Sequence, residues 1–346
     1  MQGGGHLDND KRRGRIMRSF VICSLGERIG KTFLCVGVAR NLRNVGYFRP
    51  IKENIIHVGG RLMEEDARLM KSILGYEIPE DVLSPLDYFS GEFDKEKLLR
   101  CFAEAGRGKE VMLVEAPKDF FTGFSAGISA AELARELDAE VILLARDELQ
   151  DIDRILSYKF FVEKVGAKFR GVILNMVRRE DILRLLEGVG VRVLGRIPYE
   201  SRLSMLRVSE IAEQLDAKVV AGETGMSNMV ENVLVGAMSP ENAIKYFRRV
   251  PRKAVITGGD RSDIQLCALS TPCSCLILTG GRYPAAHVVS TAEERGVPLL
   301  LTELDTFSAA ERIENMVARL RPEDIEKIKL AEELIKENVR LEEAFL

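Results

Sequence analysis

The chain has 346 residues, 46% of them hydrophobic, with 50 Lys and Arg balanced against 53 Asp and Glu. That length and apolar content suffice for a sizeable core and about two domains. A net charge of −3 and a pI near 5.9 exclude the strongly basic balance of a nucleic-acid binder, and no segment reads as a membrane span.

Residues 1–17 carry Gly3-Gly4-Gly5 and the run Lys11-Arg12-Arg13-Gly14-Arg15 without an apolar stretch, and read as a disordered, solvated basic arm rather than a signal peptide. A buried strand follows at Phe20–Cys23, then the loop Ser24-Leu25-Gly26-Glu27-Arg28-Ile29-Gly30-Lys31-Thr32, then an apolar helix from Phe33. Strand, glycine loop and helix N-terminus form an anion cradle. Backbone N–H groups of Gly26, Glu27, Arg28, Ile29 and Gly30 turn toward phosphate oxygens, Lys31 reaches the outer phosphates, and Thr32 can ligate Mg2+. The match to G-x-x-x-x-G-K-[ST] is offset, because Leu25 stands where the first glycine belongs and Gly26 follows it. The alternative is a tight turn with a surface lysine.

Further strands are expected at Val45–Ile51, Val111–Glu115, Val141–Ala145, Gly171–Asn175 and Arg192–Ile197, with helical patterns between most of them. Alternation of this kind predicts a doubly wound α/β fold with a parallel sheet, whose ligands gather at the carboxyl ends of the strands. Glu115 ends one such strand and is placed to hold Mg2+ directly or through water. Asp66 opens a helical pattern, where it is either a second metal carboxylate or an ordinary acidic helix start. Asn175 ends another strand, as a contact to a base edge or as a turn residue.

Beyond residue 215 the strands Lys218–Ala221, Ala254–Thr257, Cys275–Thr279 and Val297–Leu301 are expected, the middle two leading into repeated Thr-Gly-Gly turns. If all four are parallel, four polar or glycine-rich turns line one edge of a second sheet. The Thr-Gly-Gly turns either bind an anion with help from Arg261 and Arg282 or are tight turns that need glycine. Six cysteines scattered through apolar segments point to core packing and a reducing, cytoplasmic setting, with Cys267, Cys273 and Cys275 leaving a metal or redox site as the alternative. From Arg321 an amphipathic helical tail is expected to pack on its own domain or on a partner chain.

The ordered set Ser24–Thr32, Tyr47-Phe48-Arg49-Pro50-Ile51, Asp66-Ala67, Val114-Glu115, Gly171–Asn175 and Leu194-Gly195-Arg196-Ile197-Pro198 resembles the dethiobiotin synthetase family of P-loop proteins. More closely, it is similar to the synthetase-like N-terminal region of some phosphotransacetylases. Thr257–Asp263, Ser274–Gly281 and Asp305-Thr306-Phe307 resemble the DRTGG domain that accompanies that region. The resemblance implies a parallel-sheet P-loop NTPase domain over 18–215 and a smaller α/β DRTGG-like domain over 216–318, and the helical pattern then leaves a tail over 319–346. It also implies ATP and Mg2+, with Lys31 and Thr32 serving the phosphates, Asp66 and Glu115 the metal, and Asn175 the adenine.

Departures from the family pattern bear on the reaction. Arg49-Pro50 replaces the usual Lys-Pro pair, Gly26 and Arg28 replace acidic loop residues, and Ala116-Pro117-Lys118-Asp119 replaces a glycine-rich turn. If the protein is an enzyme, it transfers the γ-phosphoryl group to a small carboxylate, another anionic substrate or water. Lys31, Arg28 and Arg49 are then its catalytic candidates, against ordinary structural pairing for the two arginines. The rival is a nucleotide-dependent regulatory or scaffold protein, with a homodimer among its possible assemblies. In phosphotransacetylases of this architecture a catalytic domain follows, and with the given sequence ending at Leu346, acetyl transfer to phosphate is not expected.

Overall fold

The computed structural model describes residues 17–58, 61–87, 94–178, 181–316 and 318–346, so the basic arm, Met17 apart, lies outside the described residues. Contacts divide the chain into two units, one running through Tyr199 and resuming at Leu320–Leu346, the other Glu200–Arg319.

In the first unit β1 (Arg18–Ser24) leads through the loop into α1 (Lys31–Asn41). The sheet is completed by β2 (Val45–Phe48), β3 (Val111–Glu115), β4 (Glu140–Ala145), β5 (Lys168–Val177) and β6 (Val193–Pro198). All pairs are parallel, in the order β6-β5-β4-β1-β3-β2. β2 and β3 are buried at every residue, as strands must be when helices cover both faces of a parallel sheet. The strand expected over Val45–Ile51 breaks after Phe48. Pro50 has no N–H to give a ladder, the N–H of Arg49 turns to the carbonyl of Leu83 at 2.8 Å, and Ile51–Lys52 pairs instead with Leu86–Asp87.

Chain order reverses at β1, which lies between β3 and β4 with Ile22 beside Glu115 and Ser24 beside Leu144. A doubly wound sheet opens its ligand crevice at such a point.

The amphipathic tail forms the helix Ile325–Asn338 and packs on α1. This explains why α1 is apolar almost all round, with Leu34, Cys35, Val36, Gly37 and Val38 all buried. Gly37 sets the approach: a Cβ there would stand 2.2 Å from Ile335 Cγ1 and 2.8 Å from the carbonyl oxygen of Ala331. The chain then crosses the sheet edge, where Val339 bridges Gly195 and the N–H of Arg340 donates to the Leu194 carbonyl at 2.9 Å. Phe345 ends the course edge-on to Phe20, with ring centroids 5.3 Å apart.

The second unit holds β7 (Lys218–Ala221), β8 (Asn232–Val235), β9 (Lys253–Gly258), β10 (Cys275–Thr279) and β11 (Leu299–Leu301), ordered β7-β11-β10-β9-β8. β8 to β11 are parallel, but β7 runs antiparallel to β11, so the glycine turn after β7 does not join the turns that follow the other strands. Alternate residues feed two cores, Val255, Leu276 and Leu299 one, Ala254, Cys275 and Leu300 the other. All six cysteines are free. Cys275 is core, and the Cys273 thiol donates to its carbonyl at 3.1 Å.

Gly37→Val should lower the melting temperature, since overpacking costs about 1–3 kcal/mol. Thermal denaturation checks this, and an unchanged midpoint would mean that the C-terminal helix is not seated on α1.

Candidate functional site

The loop between β1 and α1 departs from the simple glycine pattern for a packing reason. The N–H of Leu25 bonds to the Leu144 carbonyl at 3.0 Å and its side chain is buried, so the strand runs one residue further before the loop opens at Gly26. Glu27 is exposed, and Arg28 is exposed with a left-handed backbone (φ 63°). Gly30 caps α1 at φ 95°, and a Cβ there would lie 2.4 Å from Asn175 Nδ2. Only glycine meets both demands. No side chain caps α1 and its first turn holds no acidic residue, which leaves first-turn N–H groups and the positive helix end facing the loop.

Lys31 Nζ donates to Ser24 Oγ at 3.1 Å and to the Lys118 carbonyl at 2.6 Å. Burial lowers the pKa of this ammonium, and Glu115 opposes that shift. An anion at the loop would complete its compensation.

Glu115, Thr32 and Asp66 converge around Arg49. Glu115 Oε1 accepts from Thr32 Oγ1 at 2.8 Å and from Arg49 Nη1 at 2.6 Å, while Oε2 accepts from the Tyr47 hydroxyl at 2.9 Å. The same guanidinium lies 3.1 Å from Asp66 Oδ2 and 2.8 Å from Glu53 Oε2. Its Nε stands 2.9 Å from Glu64 Oε1, an ion pair too poorly aligned to count as a hydrogen bond. Four carboxylates thus enclose one arginine that is 3% exposed. They face two cations, Arg49 and Lys31, so carboxylates are in excess, and the raised pKa of Glu64 relieves part of that excess.

Sequence reasoning picked Asp66 and Glu115 but missed Tyr47, Glu53, Glu64 and Lys118. The backbone N–H of Lys118 donates to Glu53 at 3.0 Å and its carbonyl holds Lys31, so the segment after β3 links the loop to the cluster. The signal for Glu64 was present in the acidic run Glu64-Glu65-Asp66, whereas a backbone carbonyl such as that of Lys118 leaves no trace in residue type.

Asn175 reaches the loop from β5. Its Nδ2 donates to the Ile29 carbonyl at 2.7 Å and its Oδ1 accepts from the Met176 N–H at 2.9 Å, so here the amide braces the loop. In the second unit Arg261 pairs with Asp263 and Arg282 with Asp260, and Glu303 packs against Gly281. The Thr-Gly-Gly turns therefore present mixed charge.

Among the described residues, no group of three or more His, Cys, Asp and Glu side chains is arranged to hold a metal by itself. Mg2+ needs no such cage, since it takes one or two carboxylates together with phosphate oxygens and water. Thr32 and Glu115 fit that partial set, with Asp66 behind Arg49.

A parallel sheet with a Gly-Lys-Thr loop at its reversal point defines a P-loop domain, a fold that suits nucleotide binding. An AAA domain model matches residues 18–207, more than half of the chain, and a DRTGG domain model matches residues 210–316. The chain belongs to the AAA domain family, with a DRTGG domain following. The phosphate acetyltransferase of Nitrosomonas europaea is 26% identical, over 94% of this chain and 51% of its own length. The cobyrinate a,c-diamide synthase of Methanocaldococcus jannaschii is 24% identical over 59% of this chain and 47% of its own. The chain thus spans about half the length of the curated relatives it matches. Among solved structures, the MinD cell division protein of Aquifex aeolicus overlaps 54% of this chain and 84% of its own, at 15% identity and a TM-score of 0.37, a likeness on which nothing further rests. Among the described residues no helix is long and apolar enough to cross a membrane.

The buried cluster predicts a pH dependence. Burial raises the Glu64 carboxyl from 4.5 to about 8, Arg49 opposing and Asp66 adding to the shift, and Glu115 is raised in the same direction, again chiefly by burial. Between those values the folded chain keeps a proton that the unfolded chain has released, so stability falls as pH rises from about 4.5 to about 8 and levels off above. Each such group contributes a slope of at most ~1.4 kcal/mol per pH unit. Urea denaturation across this range should show that decline, flattened in Glu64→Gln; an equal slope in the variant would remove Glu64 from the account.

Proposed function

We propose that the first unit binds Mg2+-ATP and that its nucleotide state is regulatory. The observation that carries the binding is the uncapped start of α1 with Lys31 buried behind it and Thr32 on Glu115 at 2.8 Å. Lys31 and the amides of Gly26 to Thr32 would hold the phosphates, and Thr32 and Glu115, with Asp66, would hold Mg2+, which neutralises phosphate charge when bound. Asn175, whose amide holds the Ile29 carbonyl of the loop at 2.7 Å, would face the base. The regulatory reading is supported by Arg49. The guanidinium read as a contact for an anionic substrate is engaged by four carboxylates and offers no open fork.

A second reading, ATP-dependent activation of a small carboxylate or other anion, is supported by the likeness to cobyrinate a,c-diamide synthase and by Arg28, exposed on the loop. Acetyl transfer is named for relatives about twice as long, and it is not proposed for this chain.

Saturating Mg2+-ATP should raise the melting temperature, a ligand at 100 times its Kd contributing about 2.7 kcal/mol. Lys31→Ala should abolish that shift, and Glu115→Gln should weaken its Mg2+ dependence more than nucleotide binding itself. An undiminished shift in Lys31→Ala would take the phosphate loop out of the account. Phosphate release that depends on one of a panel of carboxylates would favour the second reading over the first.

A further inference from the structure

A cleft of about 620 Å3 lies along β6, bounded by the helix Asp181–Gly188 and by the last turn of the C-terminal helix. This volume falls within the range of about 300–1,000 Å3 common for small-molecule sites. β6 is the third strand out from β1, which places the cleft roughly 14 Å from the phosphate loop at ~4.8 Å per strand. None of the site residues described above lines it.

Three arginines do. Arg178 lies over the ring of Tyr199 with Cζ 4.1 Å from the centroid. Arg340 pairs with Glu343 at 3.2 Å on the exposed side. Arg196 is different: the residue is half-buried, and its buried Nε has no hydrogen-bond acceptor among the described residues. Glu187 and Glu337 also line the cleft, yet among the described residues neither pairs with Arg196. A buried N–H donor without an acceptor is costly to keep, and no partner for it stands among the described residues.

We infer that this cleft binds a small metabolite bearing a phosphate or carboxylate group, held by the fork of Arg196 with Arg178 and Arg340 beside it. A planar guanidinium matches two oxygens of such a group with two parallel N–H donors. Leu183 and Val193 supply apolar wall for the body of the molecule. An added peptide strand is disfavoured, because Val339 already bridges the β6 edge at Gly195.

Hydrogen exchange of the full chain, titrated with inorganic phosphate and separately with citrate, tests the site. Saturable protection of peptides spanning 193–198 and 334–341 is expected with at least one probe, equally in Lys31→Ala, and with at least tenfold weaker half-saturation in Arg196→Met. Arg340→Gln, which loses a more exposed guanidinium, should also weaken it and serves if Arg196→Met fails to fold. Survival of the effect in Lys31→Ala separates this site from the nucleotide site. Protection confined to 24–32 and lost in Lys31→Ala would overturn the inference, as would full-strength protection in Arg196→Met or no saturable protection with either probe.

Discussion

The guanidinium of Arg49 is the interaction on which the first unit depends. It leaves the end of β2 and is met by Glu53 and Glu64 from the excursion after that strand, by Asp66 at the start of the helix Glu65–Leu74, and by Glu115 at the end of β3. One cation therefore joins four chain segments at the carboxyl edge of the sheet. A buried ion cluster is seldom more stable than an apolar core of equal volume, but removing its one arginine would cost about 3–5 kcal/mol or more because the carboxylates remain buried and uncompensated. The cluster is thus better understood through what it positions. It fixes Glu115 so that one carboxylate oxygen serves Thr32 and Arg49 together and the other serves Tyr47.

A second constraint acts from the opposite end of the sequence. α1 carries the phosphate-type loop at its start and receives the C-terminal helix along its middle, with Gly37 allowing the backbones to approach. Asn41 Nδ2 donates to the Glu332 carbonyl at 2.8 Å and Arg40 pairs with Glu332 at 2.9 Å, so the contact is polar at one end and dry at the other. Shape sets the register there. Each Gly37 contact is with backbone or a branched side chain, neither of which yields easily.

What the sequence made legible was the alternating architecture and the loop, because both are written in local pattern: apolar runs of strand length, glycine where φ is positive, Lys31-Thr32 at a helix start. Glu115 and Asp66 were legible as carboxylates at element ends. The enclosure of Arg49 was not, since four acids dispersed between residues 53 and 115 have no spacing rule, and only the sheet order brings β2 and β3 side by side. The antiparallel course of β7 was equally hidden. Apolar alternation fixes which face of a strand is buried but not its direction, and that depends on pairing with β11, about 80 residues further along. The tail announced an amphipathic helix but not its partner, because a glycine that permits close packing looks the same as one that merely lowers helix propensity.

Charge of both signs is arranged around the loop, which supports the proposal that metal and phosphate are taken together. Lys31 and the α1 N-terminus form a positive floor, while the carboxylates around Arg49 form a negative wall that shares Thr32. An anion alone would satisfy the floor and raise the repulsion at the wall; a divalent cation alone would quiet the wall but lack most of its ligands. A metal-bound phosphate chain satisfies both at once. Arg49 and the raised protonation of Glu64 keep the wall tolerable meanwhile, and the departure from the Lys-Pro pattern, which in the sequence suggests a change of substrate contact, serves in the fold as an internal counter-ion.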